Sequence, residues 1–488
     1  MSTLTTLYQS SLALLTDLYQ LTMAYGYWKA GLADREAVFH LTFRSAPGGG
    51  FTVAAGLETA IEYIENVRFS DSDTSYLAGL RGNDGRPLFE PEFLDFLRRM
   101  SPACDVDAVP EGTVVFPQEP LVRVRGPLVH AQLLETPLLN IVNFQTLIAT
   151  KAARVVMAAR GDPVLEFGLR RAQGIDGALS ASRAAYLGGC EATSNVLAGQ
   201  LFGIPVKGTH AHSWVLCFDD ELGAFRTYAE VMPNNCVFLV DTYDTLEGVR
   251  HAVVVGQELR RRGHEMIGVR LDSGDLASLS IEARRILDEG GFPGAAILAS
   301  NDLDETSIEG LKEQHAAINV WGVGTRLVTS FDEPALGGVY KLSAIRRPGG
   351  PWQPKVKISE HSQKASIPGI LQVRRYRRSG AAGRAIADVI FDETSPPAGR
   401  LTIVDSADVA RHKVIPASAS GEDLLAPIFR GGRRVYDVPT LEDIRRRVRI
   451  QLDMFAPGVK RLARPLRYLV GLERNLHERK TELVAKRQ

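Results

Sequence analysis

What this chain lacks narrows the field first. Cysteine is scarce: Cys104, Cys190, Cys217 and Cys236 are the four among 488 residues. They form no C-x-x-C pair, so neither a zinc ribbon nor a disulfide framework is indicated. Reduced thiols in a cytoplasmic protein are the plain reading. Excess charge is missing too, with 57 Lys plus Arg against 57 Asp plus Glu. Global charge therefore gives no argument for nucleic acid or a membrane surface as partner. No apolar run approaches the roughly 18 residues of a membrane span. The opening Met1-Ser-Thr-Leu-Thr-Thr lacks the basic and apolar regions of a secretory signal. Repeats and low-complexity segments are also lacking. What remains, 45% hydrophobic and 23% charged, is ordinary globular composition. A chain of 488 residues calls for two or three domains.

The rhythm of apolar residues divides the chain. Residues 1–160 read as an α+β part. A helix is expected over 11–31, with Leu12, Leu15, Leu18, Leu21 and Met23 on its apolar face. An alternating strand over Ala37–Phe43 breaks at Pro47-Gly48-Gly49-Gly50, and helices over 54–103 are interrupted at Gly82-Asn-Asp-Gly85. Antiparallel strands follow over Gly112–Arg125, then a helix from about Leu133 to Arg160. Over 161–338 short apolar strands alternate with helices: Val164–Gly168, Cys190–Ala192, Val237–Val240, Met266–Arg270, Ala296–Ser300 and Ala317–Val323. That alternation predicts parallel βαβ units, in a barrel or an open sheet. Residues 339–440 return to β segments, beginning with Val339–Ala344 and Gln353–Ile358 around the Gly349-Gly350-Pro351 turn. Residues 441–488 read as basic amphipathic helices. Arg445-Arg446-Arg447 and the arginines of 461–467 would suit RNA. Leu441, Ile444, Val448 and Leu452 in helical register make them instead the solvated face of a packed helix.

Three of these segments run directly into residues that carry chemistry. Gly208-Thr209-His210-Ala211-His212-Ser213-Trp214 follows the apolar Phe202–Val206, Asp241-Thr-Tyr-Asp244 follows Cys236–Val240, and Arg270-Leu-Asp272-Ser273-Gly274-Asp275 follows Met266–Val269. A parallel sheet delivers such residues to one rim, which predicts an enzyme that handles phosphate. His212 can act as a nucleophile towards phosphate, with Asp241 holding its tautomer and stabilising the charged ring. Thr209 and Ser213 would donate to phosphoryl oxygens. Arg270 and Asp272, at alternate positions, face the same way, and Ser273-Gly274-Asp275 opens the next helix with N–H groups towards an anion. Similar ingredients recur at Ser300-Asn301-Asp302 and at the glycine turn Gly322-Val-Gly324-Thr325. Phe167 with Arg170-Arg171, at the end of the first strand, would stack a flat ring and bind its carboxylate or a phosphate, with a core aromatic as the other reading of Phe167.

The pair His210 and His212 also invites a metal reading, since His-x-His at a strand end supplies two ligands in metal-dependent hydrolases. Asp241 or Asp272 would complete such a site. No further His lies at the later strand ends, and no residue is assigned as a metal ligand. A barrel hydrolase stands as an alternative, beside two histidines merely satisfied by hydrogen bonds.

Taken in order from about residue 11 to residue 370, five motifs closely resemble the nicotinate phosphoribosyltransferases, a type II phosphoribosyltransferase family. They are Asp17-Leu-Tyr19-Gln-Leu-Thr-Met23, Phe167-Gly-Leu-Arg170-Arg-Ala-Gln-Gly174, Gly208-Thr-His-Ala-His212-Ser, Val269-Arg-Leu-Asp272-Ser-Gly274 and Ala335-Leu-Gly-Gly-Val-Tyr-Lys341. The resemblance implies an α/β fold: an incomplete parallel α/β barrel with a composite α+β domain built from the N- and C-terminal parts. It also implies a homodimer with shared active sites. The implied reaction joins nicotinate to 5-phosphoribosyl 1-diphosphate, giving nicotinate mononucleotide and diphosphate in NAD salvage. ATP hydrolysis would be coupled to it, with Mg²⁺ accompanying the diphosphate and the ATP.

The same resemblance implies roles for individual residues. His212 would be phosphorylated by ATP, with Asp241 as its carboxylate partner. Tyr19 would reach the nicotinate ring from the neighbouring subunit, opposite Phe167, while Arg170 and Thr209 address the pyridine carboxylate. Arg270, Asp272, Ser273, Gly274, Gly324 and Thr325 would surround the phosphoribose and its phosphate. Ser366 would lie near the diphosphate, and Arg44 would bind phosphate. Family members often carry Arg-Lys where this chain has Arg44-Ser45, so the second charge is missing. Nicotinamide-using relatives carry an Asp near the amide position. The corresponding stretch, Glu191-Ala-Thr193-Ser194-Asn195, has hydroxyl groups there. A carboxylate would repel an anionic ring substituent, so the acid is expected over the amide, with a nicotinamide phosphoribosyltransferase as the alternative.

Overall fold

The computed structural model describes residues 12–101, 103–358, 366–378, 383–397, 401–405, 408 and 410–486. Its backbone falls into two units, Leu147–Pro334 and the pair Met1–Thr146 with Ala335–Gln488.

Unit Leu147–Pro334 is built from the alternation the sequence predicts. Six parallel strands lie in the order Ala192–Thr193, Val164–Glu166, Val320–Val323, Ala296–Ala299, Gly268–Leu271, Val237–Leu239. A single parallel bridge from Thr193 to Val206 extends one edge. Read cyclically, each strand neighbours the next in sequence, which is the order of an α/β barrel. It closes everywhere except between Val206 and Val237–Leu239, so the barrel is incomplete. The apolar run Phe202–Val206 contributes only that one bridge, because Val196–Phe202 is helical up to Phe202 and Gly203 turns out of it at φ 68°.

Aspartates start the helices that follow. Asp244 caps Thr245–Arg261, Asp275 caps Leu276–Glu289 and Asp304 caps Glu305–Glu313, each accepting from backbone N–H groups of the first turn. Such caps are each worth about 1 kcal/mol. They sort the acids at the rim: Asp244 and Asp275 are committed to helix starts, leaving Asp241 and Asp272 for other work.

The second unit holds two larger sheets. One is antiparallel, in the order Gln353–Pro354, Gly338–Arg346, Glu36–Phe43, Val122–Pro127, Asp105–Ala108, Ala426–Arg430, Arg433–Arg434. The other runs His412–Val414, Thr402–Asp405, Val470–Glu473, Ala385–Asp392, Leu371–Arg377, Ser420–Asp423. The second corrects the reading of 441–488 as helices alone: Leu441–Asp453 and Arg474–Ala485 are helical, but buried Val470–Glu473 is a strand inside the sheet. The first helix also differs. It spans Leu18–Lys29, not 11–31, and of the apolar face expected for it Leu12, Leu15, Leu18 and Met23 are exposed, whereas Leu21 is buried.

A buried charge network ties the strands of this unit together. Fully buried Arg375 donates Nε and Nη2 to Asp388 at 2.5–3.1 Å, Nη1 to Gln451 Oε1 at 2.8 Å, and Nη2 to the Val114 carbonyl at 2.7 Å. The Tyr468 hydroxyl donates to Asp388 at 2.9 Å. Burial, and then the Asp388 charge, push the Glu119 carboxyl well above its ordinary value of 4.5. Arg375→Met should therefore cost about 3–5 kcal/mol in urea denaturation, because it strands Asp388 in the interior. Glu119→Gln should be near neutral in acid and gain on the wild type as pH rises above 4.5. The unfolded Glu119 ionises there first, which draws the wild type towards unfolding.

Candidate active site

The open seam of the barrel explains the two histidines. Leu239 lies on the edge strand, and its N–H donates to His210 Nε2 at 3.2 Å. The His210 imidazole thus takes the place of a strand partner, packed against Phe225, Tyr228 and Phe238 with ring centroids 4.9–6.4 Å apart. Desolvation holds its pKa down at about 4, aided by the Arg270 charge. His210 is a neutral structural residue.

His212 opens the short helix His212–Leu216 and stands 39% exposed. Its Nδ1 lies 3.1 Å from the Thr242 hydroxyl, and its Nε2 is 3.9 Å from both Asp241 Oδ1 and Asp272 Oδ2. The two carboxylates are held alike. Asp241 Oδ2 accepts from the Asp272 N–H at 2.9 Å and the Ser273 hydroxyl at 2.6 Å. Asp272 Oδ1 accepts from the Ser300 hydroxyl and from Arg270 Nη2, the latter at 2.8 Å. Each acid therefore has one oxygen fixed by protein donors and one turned to His212. Asp241 Oδ1 is buried and has no hydrogen-bond partner among the described residues. Burial works against the charge of Asp272, but Ser300, Arg270 and His212 outweigh it and hold its pKa below the usual carboxylate range.

The remaining expected residues of this unit gather at the same strand ends. Arg270 donates Nε to Ser300 Oγ at 2.8 Å and Nη1 to Thr209 Oγ1 at 3.1 Å. Its guanidinium lies 5.8 Å from the centre of the Phe167 ring. That ring fits because residue 322 is glycine: a Cβ there would come within 2.8 Å of it. Gly274, at φ 79°, makes the left-handed turn that returns Ser273 towards Asp241. Gly324 and Thr325 follow the strand Val320–Val323, and Arg170 is exposed on the turn Leu169–Arg171. Tyr19, Arg44 and Ser366 belong to the other unit. Tyr19 and Arg44 are exposed there, and the Ser366 hydroxyl accepts from the Lys357 N–H at 2.8 Å.

Thr242 and Ser300 carry contacts for which no role was assigned from sequence. Thr242 could have been found by its place beside Asp241. Ser300, which in sequence is only one of the hydroxyl residues recurring at strand ends, bridges Arg270 and Asp272. Next to it, Asn301 and Asp302 are both left-handed, at φ 101° and 43°. Neither is glycine, so the turn is strained by about 1–3 kcal/mol per residue.

Comparison with known proteins places this geometry. The N-terminal domain model of nicotinate phosphoribosyltransferase matches residues 14–143, and the C-terminal domain model of the same family matches 373–480. The nicotinate phosphoribosyltransferase of Bacillus subtilis is 45% identical over 477 residues, covering 97% of this chain and 95% of that protein. The human one is 36% identical over 523 residues, with 95% of each covered. The chain belongs to the nicotinate phosphoribosyltransferase family. The crystal structure of human nicotinic acid phosphoribosyltransferase superposes with a TM-score of 0.83 at 34% identity, over 96% of this chain and 99% of that one.

Two expectations change. The hydroxyl of Thr193, expected where the nicotinamide-using relatives carry an Asp, turns into a buried network around Glu166 instead, which the Asn195 amide joins. Strand alternation sends Thr193 to the helix-covered side. The paired-histidine metal site also fails on geometry: both His210 nitrogens face backbone groups. Among the described residues no three His, Cys, Asp or Glu side chains are grouped to hold a metal ion.

The His210 assignment has a pH signature. Wild-type stability should fall by about 3 kcal/mol as pH drops from 6.5 to 4, because the unfolded imidazole takes up its proton first. His210→Gln should lack that component in denaturant titrations across the same range.

Proposed function

We propose that the chain joins nicotinate to 5-phosphoribosyl 1-diphosphate, forming nicotinate mononucleotide and diphosphate, with ATP hydrolysis coupled through a phosphohistidine at His212. The observation that carries the coupling is Asp241 Oδ1, buried, without a hydrogen-bond partner among the described residues, and 3.9 Å from His212 Nε2. An unpaired buried carboxylate oxygen is costly in the resting state. Its return comes when the imidazole carries positive charge or keeps its proton on that side. One ring nitrogen then attacks the γ-phosphorus and the bond to the ADP oxygen breaks, while the other nitrogen's proton stays on the carboxylate side. Later attack by water on the phosphohistidine returns His212 and releases phosphate.

Transfer of the phosphoribosyl group passes through an oxocarbenium-like state, so the site must stabilise the departing diphosphate and hold the base nitrogen in line. Arg270 uses one N–H on each of its nitrogens to lock its own plane, leaving two N–H groups for an incoming oxygen. Phe167 offers a face for the pyridine ring and Arg170 a charge for its carboxylate. Mg²⁺ binds mainly waters and phosphates with one or two carboxylates. The free oxygen of Asp272, whose side chain is 31% exposed, suits it, and the bound ion would neutralise diphosphate charge.

A homodimer with shared sites is proposed from exposure. Leu15, Leu18, Tyr19 and Met23 of one unit, and Val196, Leu197 and Leu201 of the other, are exposed apolar side chains on helices or leading into one. Such surface ordinarily meets a partner. The cytoplasm is the proposed location, in keeping with four unpaired thiols, three of them buried. Among the described residues no helix is long and apolar enough to cross a membrane.

Mononucleotide formation with nicotinate or nicotinamide, each with and without ATP and Mg²⁺, tests the reading. Nicotinate turnover stimulated by ATP is expected, and amide turnover in its place would overturn the choice of substrate. His212→Ala should lose ATPase activity and the stimulation with an intact fold; undiminished stimulation would refute the phosphohistidine. Tyr19→Ala should raise the nicotinate KM about tenfold through lost stacking. Mixed with His212→Ala it should regain activity across the dimer, and lack of complementation would count against a shared site.

A further inference from the structure

We propose that Glu166 is a positioning residue for the ring end of the substrate, a reading that rests on the activity proposed above. Glu166 ends the strand Val164–Glu166. Its neighbours Leu165 and Phe167 join an apolar cluster with Ala192 and Leu298, so alternation turns Glu166 to the opposite face, towards Ser182 of the helix Ile175–Gly188. Strands covered on both faces are ordinarily apolar at such positions. A carboxylate is tolerated there only when its oxygens are engaged.

They are engaged. Oε1 accepts from the Gly168 N–H, and Oε2 accepts from the Ser182 hydroxyl at 2.8 Å and the Thr193 hydroxyl at 2.6 Å. Asn195 closes the network, donating its N–H to Thr193 Oγ1 at 3.0 Å and Nδ2 to Ser182 Oγ at 3.2 Å. All four side chains belong to residues only 1–2% exposed.

Two rim segments thus hang on one carboxylate. Gly168 begins the turn that carries Arg170, receiving the Arg171 and Ala172 N–H groups on its carbonyl at 2.8 and 3.2 Å. Thr193 and Asn195 lead into the helix Val196–Phe202. The turn has no slack, since a Cβ on Gly168 would lie 2.2 Å from Val328 and 2.9 Å from Glu166 Oε1. Loss of the carboxylate would shift Arg170 and Phe167 against the fixed Arg270. Glu166 touches no reacting atom; it acts through Gly168.

Steady-state kinetics of the wild type, Glu166→Ala, Glu166→Gln and Thr193→Val test this. The Ala variant should raise the nicotinate KM about tenfold or more, with the phosphoribosyl diphosphate KM within about twofold and kcat changed less. Gln can accept the Gly168 N–H and donate to Thr193, so it should return the nicotinate KM to within about threefold of wild type. If the Ala variant does not fold, Thr193→Val carries the same expectation at smaller size. An unchanged nicotinate KM, or both KM values rising together without rescue by Gln, would overturn the assignment. A wild type that forms no nicotinate mononucleotide would take down the proposed activity as well. An active wild type whose kinetics ignore Glu166 would sink only this inference.

Discussion

Among the described residues no strand lies beside the N–H of Leu239, and the arrangement of the rim follows from how that vacancy is met. A barrel with one unpaired edge must satisfy the exposed backbone groups or lose their hydrogen bonds. Here the chain crosses the seam through Lys207–Ala211, and His210 gives its ring nitrogen to Leu239. Crossing there forces the next residues to begin a helix at the rim, and His212 is its first residue. Two histidines one residue apart therefore meet opposite fates. One is desolvated and neutral among aromatic rings; the other is presented to the carboxylates.

Those carboxylates are prepared in advance. The ends of three successive strands interlock: Asp241 is fixed by Asp272 and Ser273, Asp272 by Arg270 and Ser300, and Arg270 by Thr209 across the seam. No oxygen needs to rotate when charge develops on His212, which is the condition for strong electrostatic stabilisation in a low-dielectric site. The same interlocking makes the assembly fragile to single changes. Ser300, for example, acts on His212 only through Asp272, yet its loss would free both Asp272 and Arg270.

Much of this was legible because the residues concerned interrupt apolar runs. A buried strand that runs into Arg270-Leu-Asp272 declares its end, and the second aspartate, a few residues on, declares the helix start. The parallel unit and its strand ends could be read that way, and so could the His212–Asp241 pair. Direction was harder. Thr193 sits in a motif that looks solvent-facing, but its register beside Glu166 puts it behind the sheet. The strand Val470–Glu473 is four residues long between Arg467 and Arg474, too short for a period to show against the basic flanks. Periodicity also marked Leu15, Leu18 and Met23 as one face without saying what covers it. The seam itself was invisible, because an edge strand and a paired one share the same composition.

The turn at Asn301 and Asp302 bears on where stability is surrendered. Two consecutive left-handed residues that are not glycine oppose folding, and neither serves the helix that follows, since Asp304 supplies the cap and buried Leu303 the anchor. Glycine at either position would relieve the strain, so the side chains themselves are what the strain preserves. They follow the strand Ala296–Ala299, which lies between the strand leading into Asp272 and the one leading into Gly324 and Thr325. An unpaired buried oxygen on Asp241, exposed apolar helix faces and a strained turn are three separate losses. Two of the three fall on one rim, and the unpaired oxygen and the apolar faces are the losses that a bound partner would recover.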